Sequence, residues 1–159
     1  MKKFTFLITI LLLVGCEKED QPVNSVYIEN ALKLNVINEE GEDLLSSDTP
    51  GYFRSQDIKT FYRNEEGNFQ ALYQSNLDNP KFFKIREEDD KNVFVLFPYM
   101  ESRNSENVTL IEWRQVVVDT IETIHSYTAN TVYLEEARLN GELIYVRDNF
   151  PTPVYQLVK

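Results

Sequence analysis

The sequence is poor in the residues from which most active centres are built. It has one cysteine and one histidine in 159 residues. A tetrahedral zinc site draws on several thiolates and imidazoles, so this chain is not equipped for one. A disulfide needs two cysteines, so none forms within the chain and stability must come from a packed core. Glycine is scarce, with five residues, and neither a phosphate-cradling Gly-rich loop nor a Gly-x-Ser-x-Gly elbow occurs. Basic residues are outnumbered, 16 Lys and Arg against 26 Asp and Glu, for a net charge of −10. Such a surface repels nucleic acid and anionic head groups. Long amphipathic helical patterns, internal repeats and apolar runs of the roughly 20 residues needed to span a bilayer are all missing.

What is present begins at the N-terminus. Met1-Lys2-Lys3 is a short positive region, and Phe4 to Val14 is an uncharged apolar run. Its length lies within the roughly 7–15 residues of a secretory signal's apolar region. The run ends in Leu13-Val14-Gly15-Cys16, which resembles the lipobox of bacterial lipoproteins. That resemblance implies removal of residues 1–15 and acylation of Cys16 with palmitate-type chains. The protein is then expected to be anchored in the bacterial outer membrane. Each buried acyl methylene contributes about 0.8 kcal/mol, so two or three chains hold essentially permanently. Processing leaves 144 residues, and because Lys2 and Lys3 depart with no acid, the net charge becomes −12.

Residues 16–25 read as the lipidated cysteine and a flexible acidic tether, being polar, charged and proline-bearing. Within it, Lys18-Glu19-Asp20 resembles the surface-export signal of lipoproteins from the Bacteroidetes group, which implies a domain facing outward. A plain solvated linker, with the domain on the periplasmic face, is the competing reading.

From residue 26 to 159 the pattern predicts one domain. Leu32, Leu34 and Val36 alternate with Lys33 and Asn35, the period of a half-buried strand. Aromatic and β-branched runs recur: Ile58 to Arg63, Phe69 to Gln74, Phe82 to Ile85, Val93 to Phe97, Val108 to Trp113, and Gln115 to Ile121. Thr131 to Leu139 and Glu142 to Val146 flank Asn140-Gly141, a strong two-residue hairpin signal. Val132 to Leu139 also admits a short helix capped by Gly141. Val154 to Val158 would add a last edge strand. The whole predicts an all-β, antiparallel sandwich of about eight short strands.

Several pieces together resemble small Bacteroidetes lipoproteins of unknown function: the lipobox, Gly41-Glu42-Asp43-Leu44-Leu45, Asp57-Ile58-Lys59, Asp119-Thr120-Ile121 and Leu139-Asn140-Gly141-Glu142-Leu143. The opening strand, Gly turn and following strand are also similar to transthyretin-like and immunoglobulin-like sandwich modules. That likeness implies a fold and no function. Asp119-Thr120-Ile121 further resembles the O-glycosylation acceptor of the same bacterial group, which makes Thr120 a modification candidate. Its competing reading is an ordinary alternating strand. Asn107-Val108-Thr109 fits the eukaryotic N-glycosylation pattern, which carries little weight in a bacterial lipoprotein.

Chemistry is sparse. His125 is the only imidazole, and its neighbours suggest a strand end or loop. Glu87-Glu88-Asp89-Asp90 is a dense acidic turn, and contiguous carboxylates normally mark a solvated tip. Neither this turn nor the acids around Gly41 has the spacing of a calcium loop. A carboxylate pair in a cleft would support glycoside hydrolysis, but no acid/base motif singles one out. The aromatics are expected mostly in the core. In adjacent pairs such as Phe61-Tyr62 and Phe82-Phe83 one ring faces each side of the strand. No catalytic residue, metal or cofactor is assigned. The function expected is that of a lipid-anchored, non-enzymatic cell-envelope protein acting as a binding or accessory module, with a glycan or an envelope protein as its candidate partner. Its rivals are a surface carbohydrate-binding or adhesin-like module, and a small hydrolase using a carboxylate pair.

Overall fold

A computed structural model describes residues 27–100, 106–149 and 152–159. The leader 1–15, Cys16, and the tether with Lys18, Glu19 and Asp20 lie outside the described residues. Within them the two-residue alternation of the sequence becomes two facing sheets.

The larger sheet holds β1 (Tyr27–Glu29), β3 (Lys59–Arg63), β4 (Phe69–Ala71), β7 (Asn107–Arg114), β8 (Val117–Tyr127), β9 (Thr131–Leu139) and β10 (Glu142–Val146). Its order is β1-β9-β8-β7-β3-β4, and β10 shares with β1 the free side of β9. The smaller sheet holds β2 (Leu32–Ile37), β5 (Phe83–Glu88), β6 (Lys91–Leu96) and β11 (Val154–Val158), in the order β11-β2-β6-β5. Only Asn30 and Ala31 separate β1 from β2, so the chain changes sheets at the start of the domain.

The core lies between the sheets. Leu32, Leu34 and Val36 of β2 face inward, with Phe94 and Leu96 of β6 beside them. Ile111 and Trp113 of β7, Ile121 of β8 and Leu134, Ala137 and Leu139 of β9 close the other side. Trp113 is at the centre: its ring lies 4.7 Å from Phe94 and 5.5 Å from Phe53. Full burial of such side chains contributes roughly 1.5–3 kcal/mol each, which a chain without disulfides depends on.

The all-β sandwich is the class the sequence predicts. Among the described residues it has eleven strands where about eight are expected, and its sheets are mixed. The inner strands pair antiparallel, but β1 runs parallel to β9 and β11 runs parallel to β2. Alternation specifies which face is buried and carries no sign of strand direction. Residues 132–139 form strand, not helix. Their inward residues, Val132, Leu134, Ala137 and Leu139, are spaced two, three and two apart because the β8–β9 register shifts between Ile124 and His125. One bulge thus imitates a helical spacing.

The Asn140-Gly141 turn has both residues at positive φ, 51° and 84°, the mirror-image turn that suits strand twist. Asp89 and Asp90 do the same at 51° and 61° without glycine. Val116, at the β7–β8 tip, has φ 69° and is 98% exposed.

Candidate ligand-binding cleft

The two ends of the sandwich can be followed along β8. At its beginning, Asp119 points inward and is 1% exposed. A buried carboxylate is costly unless paired and hydrogen-bonded. Asp119 accepts from Trp113 Nε1 at 2.5 Å and from Asn140 Nδ2 at 2.7 Å, and forms an ion pair with Lys159. It thereby ties β7, the β9–β10 turn and the end of β11 together. The next residue, Thr120, faces outward and is half-buried, and its backbone N–H donates to Asn140 Oδ1 at 2.9 Å. The Asp-Thr-aliphatic triplet therefore contains an aspartate with a structural task and a threonine on the outer face.

At the far end of β8 the inner face turns polar. Thr123 and His125 are buried there, with Asn107 and Thr109 on β7 alongside. His125 lies two residues from the end of its strand, near where the sequence placed it. It is nevertheless a core residue, 3% exposed, because it continues the inward series Asp119, Ile121, Thr123. Neither of its ring nitrogens has a hydrogen-bond partner. Burial disfavours the charged imidazolium and lowers its pKa from 6.5 to about 4. Asn107 and Thr109 are equally buried, so the Asn-Val-Thr triplet presents no accessible acceptor.

Beyond β8 this end opens into a cleft of about 430 Å³. Four separate segments build it: β1 with Asn30, the loop 74–79, Phe82 before β5, and residues 97–100 after β6. One wall is aromatic and apolar, formed by Phe82, Phe97, Pro98 and Tyr99. The Tyr99 ring lies 4.2 Å from Tyr62 and 6.0 Å edge-on from Phe82. The lining also includes Gln74, Asp78 and Asn79. Exposed Ile28 and Leu77 form the rim. Asn30 is buried and braces the aromatic wall by donating from Nδ2 to the Pro98 carbonyl at 3.3 Å.

Phe82 is the unusual residue of the cleft. Its φ is 60°, a left-handed conformation that costs an L-residue about 1–2 kcal/mol. The surroundings fix it there. Its N–H donates to the Asn79 carbonyl at 2.9 Å, and its carbonyl accepts from Phe97 N at 2.8 Å. The preceding residue, Lys81, is pinned by Thr60 Oγ1 donating to its carbonyl at 2.5 Å. Its ammonium donates to the carbonyls of Ser55, Gln56 and Ile58. The ring is thereby held half-exposed against Tyr99, while Phe83 is buried on the opposite side of the chain. The pair thus divides one ring in and one ring out, as the alternation predicts.

A second hollow, of about 440 Å³, is lined by residues of the same loop. It shares Asp78 and Asn79 with the first and contains Tyr73, which is 64% exposed. The acidic turn of the sequence is elsewhere. Glu88 ends β5, where the hydrogen bond from Lys33 holds its carboxyl below the usual range and Arg86 adds to this. Asp43 is likewise engaged, accepting from Leu45 N and from both nitrogens of Asn92. Among the described residues no group of three or more His, Cys, Asp or Glu is placed to hold a metal ion.

The sequence singles out Phe82 in its adjacent pair and Phe97 at the end of a strand-like run, and gives no sign that they converge with Tyr99. Comparison with protein-family models, curated proteins and solved structures finds no match.

Proposed function

We propose that this protein is a lipid-anchored, non-enzymatic binding module of the bacterial cell envelope. Cys16 is its membrane attachment, and the cleft bordered by Phe82 and Tyr99 is its recognition site. The observation that carries the binding role is Phe82, an aromatic held in a strained backbone conformation at the mouth of a cleft. Backbone strain persists only where the surroundings over-determine it, and it clusters at functional sites. The size supports the same reading, since ligand pockets run to roughly 300–1,000 Å³ and combine apolar walls with a few polar groups. Among the described residues the lining contributes one carboxylate, Asp78, and does not include His125, which favours recognition over acid–base chemistry. The anchor rests on the lipobox-like Leu13-Val14-Gly15-Cys16 and the charged apolar leader before it. The acidic run Lys18-Glu19-Asp20 favours the outer face of the membrane.

Two experiments test this. In cells fed an alkyne fatty acid, the wild type should carry label and pellet with outer membranes, and Cys16→Ala should lose both. An unlabelled wild type would contradict the anchor. For the cleft, a photo-crosslinking residue in place of Leu77 on intact cells should give a discrete adduct that Phe82→Gly abolishes. An adduct pattern unchanged by Phe82→Gly would remove the cleft as the recognition site.

A further inference from the structure

We infer that the ligand of this cleft is a neutral oligosaccharide, an assignment that rests on the binding role proposed above. The cleft combines aromatic and polar side chains. Phe82 and Tyr99 present aromatic rings. An aromatic face suits the apolar C–H side of a pyranose, which is flat and carries no charge. The same lining includes the amides of Gln74 and Asn79 and the carboxylate of Asp78. Amides both donate and accept, and a carboxylate accepts, so the set matches hydroxyl groups that do both. An apolar peptide would leave these groups unsatisfied, at a cost for each buried polar atom.

Charge narrows the class further. The cleft lining contains no lysine or arginine among the described residues, and the chain carries a net charge of −10. Within this first cleft an acidic sugar or a phosphate would meet the Asp78 carboxylate and no cationic lining side chain, and would be repelled at longer range. The second hollow sets the length. It continues past the shared residues Asp78 and Asn79 to the exposed ring of Tyr73. Two hollows that share Asp78 and Asn79 fit a chain of several sugar rings crossing these residues, with Tyr73 as the outer contact. Lys81 and Lys84 border the outer hollow, so it is the lining of the inner cleft, without a cation among the described residues, that selects a neutral sugar.

The test is electrophoresis of the full acylated chain through gels containing dextran, laminarin, yeast mannan or xylan, with polygalacturonate as the acidic comparison. The detergent must lack a sugar head group. Retardation by at least one neutral polysaccharide is expected, and none by polygalacturonate. Phe82→Gly should weaken it roughly tenfold or more, as expected for loss of one aromatic contact. Glycine accepts the φ of Phe82, so this variant keeps its backbone, and its thermal midpoint is recorded beside the wild type. Asp78→Ala, on an exposed loop, supplies a second variant that should also weaken retention. Migration unaffected by all four neutral polysaccharides overturns the saccharide assignment, as does retention by polygalacturonate alone or retention insensitive to both variants. If the Leu77 crosslink persists in the first of these cases, the cleft binds another ligand. If the crosslink is also missing, the binding role itself fails.

Discussion

The two ends of the sandwich are finished in opposite ways. At one end Asp119 is buried with every neighbour accounted for: Trp113, Asn140 and Lys159 all point at it. At the other end His125 is buried with neither nitrogen partnered, and the strands give way to a cleft walled by strained Phe82. The satisfied end locks three elements together, as a buried charge must if it is not to cost several kcal/mol. The unsatisfied end gives up stability around a surface that can receive something else. Each end also carries a hydrophobic residue in the left-handed region, Val116 at the closed end and Phe82 at the open one. Val116 is at a solvent tip and touches little, whereas Phe82 is pinned by its neighbours and faces the cleft.

The largest effect should come from the closed end. Asp119→Ala leaves the Trp113 indole N–H and the Lys159 ammonium without their partner, and breaking a buried pair costs about 3–5 kcal/mol. Urea unfolding should show this loss, and a change below about 1 kcal/mol would mean that the hub is not holding β8.

The next effect belongs to His125 and depends on pH. Its pKa is about 4 in the folded chain and 6.5 as the ordinary value. The unfolded chain therefore binds more protons between these limits, so stability is full above pH 6.5 and falls as pH drops toward 4. The shift corresponds to roughly 3 kcal/mol at 1.36 kcal/mol per unit. His125→Leu should flatten that part of the curve. Equal slopes in wild type and variant between pH 6.5 and 4 would show that the imidazole is not what responds.

The smallest effects compare the two strained residues. Val116→Gly should stabilise by about 1 kcal/mol, because it relieves left-handed strain and gives up almost no packing. Phe82→Gly relieves similar strain but loses the ring contact with Tyr99, so its unfolding free energy should stay within about 1 kcal/mol of wild type. A Val116→Gly variant less stable than wild type would count against strain at that tip.

The sequence made some of this legible and concealed the rest for identifiable reasons. Leu32, Leu34 and Val36 announce a strand because a facing sheet buries every second residue, and Asn140-Gly141 announces its turn because both positions need positive φ. The parallel edges could not be read. β1 has three residues, and its partner begins at Thr131; β11 pairs with Lys33 to Ile37, more than a hundred residues away. Asp119 was noticed for its triplet, while its structural role depends on Trp113 and on distant Asn140 and Lys159. The spacing of His125 from Ile121 and Thr123 did carry a signal of burial, since all three lie on one face of a strand. The cleft left no local signature because four segments meet to form it, and nothing in the pair Phe82-Phe83 says which ring has company.

The most direct test of the account sets the two strained residues side by side. Wild type, Phe82→Gly and Val116→Gly, each as the full acylated chain, are run through the neutral polysaccharide gels. Val116→Gly should be retarded like wild type and Phe82→Gly should be retarded roughly tenfold more weakly, with both variants folded. Equal behaviour of the two variants, whether both retained or both released, would contradict the claim that the open end of the sandwich is where this protein binds.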